Sequence, residues 1–148
     1  MAVSTSDDRF KDVVEDLLRS TRASRSTLRL DTPGKDFPVV AEACADGVRS
    51  IAQEVSISQR GAATAQRLME TGEPLIQADC ARADPPPPQE LLTVYGVQAQ
   101  MLGPISQDGR VVGWLSVHYA PSTREWSDDD VAALKQAVAR VQDALEKP

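Results

Sequence analysis

The chain has 148 residues, with 16 Lys and Arg against 22 Asp and Glu and a net charge of −6. This length supports one domain with its own core, and the acidic balance argues against a nucleic-acid partner, because phosphate binding is led by Lys and Arg. One histidine and two cysteines, Cys44 and Cys80, supply neither a His-based zinc site nor a disulfide framework; no apolar run reaches the ~20 residues of a membrane span, and no signal-peptide pattern opens the chain, so a cytoplasmic protein without membrane partners is expected.

Residues 6–22 carry Phe10, Val13, Val14, Leu17 and Leu18 on one stripe, which predicts an amphipathic helix capped by Ser6 with Asp7 and Asp8. Leu28 and Leu30 alternate with Thr27, Arg29 and Asp31, which predicts a strand over 26–31. A turn at TPGKD leads to a returning strand over 37–44. Its facing is open: Val39, Ala41 and Ala43 lie on one side and Val40, Glu42 and Cys44 on the other. After a long loop, a second helix is expected over 58–71, stopped by Gly72. A short strand over 73–79 follows, then an irregular loop with four prolines at 85–88, then a short helix over 89–95 closed by Gly96.

The segment from Tyr95 to Tyr119 reads as a hairpin, because Asp108-Gly109 supplies the two positive-φ positions of a tight turn. On its second arm Val111, Gly113, Leu115 and Val117 share one face, and Val112, Trp114, Ser116 and His118 share the other. The first face suits packing under helices. The second is polar and aromatic without charge, which suits the floor of a small-molecule pocket. The last helix is expected after Ser127, with Asp128, Asp129 and Asp130 in its first turn. Its apolar positions Val131, Leu134, Val138, Val141 and Leu145 form a heptad-like seam that could pack on the sheet or on a partner.

Candidate ligand-binding residues follow from the second face. Arg29 lies mid-strand between two leucines and cannot face apolar surroundings cheaply. It offers a guanidinium fork for a carboxylate or similar oxyanion, unless it pairs with Glu42. His118 and Ser116 offer hydrogen bonds, Trp114 a stacking surface, and Gln98 and Gln100 both donors and acceptors. Tyr95 is placed to close the pocket with its hydroxyl. Cys80, in the loop expected to form the lid, is a possible reactive thiol if a cation lowers its pKa.

The stretches TLRLD, FPVVAEA and DGRVVGWLSVHYAPSTREWSDDDVAAL resemble the GAF domain, a sensory module, over about residues 25–145, with residues 6–22 as the leading helix. The last stretch is similar to the closing strand and helix of GAF modules in bacterial sensor kinases and phytochrome-like proteins. Gly113, Ser116, His118, Arg124, Trp126 and Asp128 to Asp130 occupy the pattern's places. In phytochrome-like members the residue at the place of His118 faces the chromophore. The chain departs from defined subtypes. It lacks the Asn-Lys-(x)n-Phe-x3-Asp-Glu signature of cyclic-nucleotide binders, a cysteine beside His118, and the Cys-Asp-Ala-Ala-Ser stretch of free methionine-sulfoxide reductases.

The resemblance implies an α/β (α+β) fold, one domain over 1–148, with terminal helices on one face of a central antiparallel sheet and a ligand pocket under loops on the other. It implies a bacterial sensor of a small polar or anionic metabolite that signals to an unidentified output protein. No metal and no cofactor are expected, with haem or another tetrapyrrole as the alternative. A small enzyme using His118 or Cys80, and a homodimerisation module joined through the terminal helices, are the other readings.

Overall fold

In a computed structural model, the backbone is described for residues 3–146 and the side chains for residues 8–146. Helix α1 spans Val3–Thr21, strand β1 Arg25–Leu30, β2 Val39–Cys44, helix α2 Ala63–Thr71, β3 Leu75–Gln77, helix α3 Gln89–Thr93, β4 Ala99–Gln107, β5 Arg110–Tyr119 and helix α4 Asp128–Glu146. The five strands form one antiparallel sheet in the order β2-β1-β5-β4-β3.

The back of the sheet carries the main core. Phe10, Val13, Val14 and Leu17 of α1 and Leu134, Ala137, Val141 and Ala144 of α4 pack on Leu28, Met101, Ile105, Leu115 and Val117. Val131, Val138 and Leu145, the rest of the α4 seam, join the same core. The seam is therefore spent on its own sheet. The large apolar side chains exposed among the described residues, Val55, Met69, Ile76 and Val94, all lie off α1 and α4. Gly103 lets α4 approach closely, since a Cβ there would meet Val138 at 2.8 Å and Leu134 at 3.0 Å.

The hairpin turn has Asp108 at φ 53° and Gly109 at φ 78°, the pair of positive values that a two-residue turn requires. Helix α4 is closed by reciprocal capping: the Asp130 N–H donates to Ser127 Oγ and the Ser127 N–H to Asp130 Oδ2, both at 3.0 Å. At the other end of the chain α1 starts at Val3, so Ser6 lies within the helix backbone, and the side chains of Ser6 and Asp7 lie outside the described residues.

Three expectations are corrected. A bulge separates Ile105↔Gly113 from Ser106↔Val111. It turns Val112 to the helix side and Val111 toward Phe37 and Arg60, the reverse of simple alternation. A second bulge at Leu28/Arg29 lets Val39 face the front while Val40, Ala41 and Ala43 face the helices. Helix α2 begins at Ala63 and not at Ser58, because residues 58–62 are held in turns. There the Gly61 N–H donates to Ser58 Oγ, and the Gln59 and Arg60 N–H groups donate to the Asp36 carboxylate.

Candidate functional site

One rung of the sheet sets the floor of the site. Antiparallel pairing places Gln77, Gln100, His118 and Arg25 side by side across β3, β4, β5 and β1. The rungs above bring Leu102, Ser116 and Thr27 together, then Trp114 and Arg29. Arg29, Gln100, Trp114, Ser116 and His118 line the floor of one cavity of about 30 Å³. Its roof is Ile51, Ile57 and Gln59 of the long loop, Thr64 and Ala65 of α2, and Pro88 with Leu91. An open groove of about 420 Å³ lies on the other side of Arg29, between Lys35, Asp36, Glu54 and Gln59.

The roof is tied down by carboxylates. Glu42 accepts from Ser50 Oγ and from the Ile51 N–H at 2.8 Å. Asp36 accepts from Gln59 and Arg60 as above. Glu54 accepts from the Tyr95 hydroxyl at 2.7 Å. Trp114 packs on Phe37 at 4.8 Å between ring centroids, and the Arg60 guanidinium lies over the Phe37 ring at 4.5 Å. Trp114 thus forms a wall already filled on one side.

The charge pattern is specific. Arg25 is 2% exposed and donates twice to the Arg49 carbonyl and once to His118 Nδ1 at 2.9 Å. A guanidinium only donates, so Nδ1 accepts and the proton of neutral His118 sits on Nε2. Burial first, and then the charges of Arg25 and Arg29, hold His118 well below the usual histidine range. The ring therefore presents a donor to the cavity, with no lone pair for a base's work or for an iron atom.

Arg29 is 6% exposed. Its one described hydrogen bond runs from Nη1 to the Phe37 carbonyl at 2.9 Å, and among the described residues it has no ion pair. Burial lowers its pKa, offset in part by Asp36 and then Glu42 at longer range. The expected alternative pairing with Glu42 does not form, because that carboxylate is spent on Ser50 and Ile51.

Gln100, 1% exposed, donates from Nε2 to Gln77 Oε1 at 2.8 Å, and Gln77 Nε2 donates to the Pro85 carbonyl at 2.8 Å. That carbonyl can only accept, which fixes both amides. Gln100 Oε1 is left buried without a partner among the described residues. Helix α2 adds to the donor side: its first turn lines the roof, and Ala62 at its N-cap supplies no side-chain acceptor.

Several sequence expectations fall elsewhere. Gln98 precedes β4, is exposed, and borders a surface groove with Asp79 and Gly96 and not the cavity. Tyr95 does not line the cavity; the Arg25 and Arg49 guanidiniums lie 5.3 and 5.2 Å from its ring centroid, and its hydroxyl tethers the roof through Glu54. Cys80 is 2% exposed among Ile51, Leu91 and Val97, and burial with Asp79 beside it pushes the thiol up to about 12. It is a core residue and no nucleophile. The lid is not the 80–95 loop alone, since residues 51–65 form most of the roof. The strand expected over 26–31 leaves out Arg25, the first residue of β1, whose parity with Thr27 and Arg29 places it on the front. Among the described residues no cluster of three or more His, Cys, Asp or Glu side chains could hold a metal ion, and no helix is long and apolar enough to cross a membrane.

The family model for the GAF domain matches residues 6–145. The chain belongs to the GAF domain family. No curated protein matches. Solved structures with the same fold include the cyanobacteriochrome receptor PixJ, at TM-score 0.80 and 18% identity over 98% of this chain and 97% of that one. The blue-light absorbing PixJ GAF domain of Thermosynechococcus elongatus aligns at TM-score 0.77 and 16% identity over 97% and 89%. A phycocyanobilin-bound GAF domain from a cyanobacterial phytochrome aligns at TM-score 0.76 and 18% identity over 95% and 84%.

These neighbours correct the expectation of no cofactor, which kept a tetrapyrrole as the alternative: solved GAF domains of this fold include one that is phycocyanobilin-bound. The side chains of the present GAF domain do not fit a bilin as they stand. The cavity of about 30 Å³ is roughly an order of magnitude below the ~300–1,000 Å³ of pockets for molecules of such size. Neither cysteine lines it, so neither is placed for covalent attachment.

Proposed function

We propose that this GAF domain is a sensor module whose front cavity takes a small anionic metabolite, held by Arg29 and by the Nε2–H of His118. The observation that carries this reading is the buried Arg29 guanidinium, which has one carbonyl contact and, among the described residues, no counter-charge in contact. A charge in that position costs several kcal/mol of desolvation unless it is paired. An anion in the cavity supplies the missing partner, and Ser116, Thr64 and the first turn of α2 add neutral donors around it. The cavity is small, so entry displaces the roof over residues 51–65. That movement is the signal an output protein would read.

Thermal-shift screening of small carboxylates and inorganic oxyanions on wild type and Arg29→Met tests this reading, with phycocyanobilin as a separate arm. The expected result is stabilisation of wild type by at least one anion and no stabilisation of Arg29→Met by it. Equal stabilisation of both proteins, or binding of the bilin with no response to any anion, would overturn it.

A further inference from the structure

We infer that the ligand of the front cavity is a 2-hydroxy carboxylate, whose carboxylate meets Arg29 and whose hydroxyl donates to Gln100 Oε1. This rests on the anion-binding reading above and narrows it. The polar groups of the cavity are unequal in kind. Arg29 and the Nε2–H of His118 only donate. Gln100 Oε1 only accepts, and the chain of amides through Gln77 to the Pro85 carbonyl prevents it from exchanging places with Nε2. A buried acceptor without a partner is costly, so a ligand that matches the site brings a donor to it.

Nitrate or a simple carboxylate satisfies Arg29 and leaves Gln100 orphaned, whereas hydrogencarbonate and hydrogenphosphate carry an O–H and are told apart by titration. A 2-oxo acid in its keto form brings a second acceptor and leaves Gln100 orphaned as well. An amino acid brings a donor, but its ammonium would enter a region that already holds two buried guanidiniums, Arg25 and Arg29. The hydroxyl of a 2-hydroxy acid is a neutral donor beside an anion and meets both demands. Short acids suit the small cavity best.

Isothermal titration of wild type with glycolate, acetate, pyruvate, glycine, hydrogencarbonate and hydrogenphosphate separates these chemistries, pyruvate standing for the 2-oxo acids because glyoxylate is mostly its gem-diol in water. Glycolate is expected to bind about tenfold or more tightly than acetate, the worth of one buried hydrogen bond with its desolvated acceptor. Gln100→Met is expected to bring the glycolate-to-acetate ratio down to about one. The comparison on wild type decides by itself if that variant folds poorly. Equal affinities for glycolate and acetate on wild type, or tighter binding of pyruvate, glycine, hydrogencarbonate or hydrogenphosphate, would overturn the hydroxy-acid inference while leaving anion binding by Arg29 intact. No binding of any carboxylate or inorganic oxyanion to wild type would overturn the anion reading itself.

Discussion

Replacing Arg29 by Met should stabilise this protein while abolishing its ligand response. The guanidinium is buried and lacks a contacting counter-charge among the described residues, so its residual desolvation cost is several kcal/mol, about 4. The hydrogen bond to the Phe37 carbonyl returns up to about 3 kcal/mol as a charge-assisted bond, and removing Arg29 leaves that carbonyl unpaired. Met keeps the apolar stem in place and fills the gap with an adaptable side chain. The net expectation is a gain of about 1 kcal/mol, which at this size raises Tm by about 2–4 °C. Urea denaturation followed by tryptophan fluorescence and by circular dichroism measures it, the agreement of the two probes confirming a single transition. A loss of more than about 2 kcal/mol would refute the reasoning. It would mean that Arg29 is retained to pin the β1–β2 turn through Phe37 and not to meet a ligand.

Other outcomes follow from the same structure. His118 stays neutral when folded and takes a proton when unfolded, so folding stability should fall with pH below its ordinary value of ~6.5, by at most about 1.4 kcal/mol per pH unit. The stability is fully present above that range, and His118→Gln should remove this part of the slope in urea titrations between about pH 7 and 5. Cys80 should resist iodoacetamide in the native state at pH near 8, reacting only on unfolding; rapid native labelling mapped to Cys80 by mass spectrometry would contradict its burial. Gly113→Ala should cost about 1–3 kcal/mol, because a Cβ there would stand 2.1 Å from the Arg29 carbonyl oxygen and push β1 away; unchanged stability would mean that the bulge absorbs it. Hydrogen bonds from Ser56 and then Tyr95 hold Glu54 down to about 2, so the roof tether should persist above the ordinary carboxylate range and loosen as pH falls toward 2. Tyr95→Phe should speed hydrogen exchange over residues 45–62 at neutral pH, and an unchanged rate would show that Glu42 and Asp36 suffice to hold the roof.

The sequence made the order of elements legible because its strongest signals are local. Asp108-Gly109, Gly72 and the Ser127 cap each act within a few residues, and each stands where expected, whereas helix α3 ends at Thr93, short of Gly96. Alternation on β5 also placed Trp114, Ser116 and His118 on the cavity face. What stayed hidden depends on partners distant in sequence. The bulge at Val111–Val112 arises from pairing with β4, and it inverts two side chains that alternation assigns with equal ease to either face. Helix α2 starts late because Asp36, more than twenty residues away, captures the Gln59 and Arg60 N–H groups. Gln98 looked equivalent to Gln100 by parity, yet it lies before β4 begins and turns outward. The unpartnered Oε1 of Gln100 and the tautomer of His118 could not be read at all, since each is fixed by a neighbour on another strand.

The central claim is that Arg29 meets an anion in the front cavity, and nuclear magnetic resonance observes it most directly. The Arg29 Nε–H and His118 Nε2–H resonances are followed while glycolate is titrated into labelled protein. The account expects both resonances to shift along one saturable curve that is lost in Arg29→Met. Saturable shifts confined to other surfaces, or no shift of either resonance at millimolar acid, would contradict it.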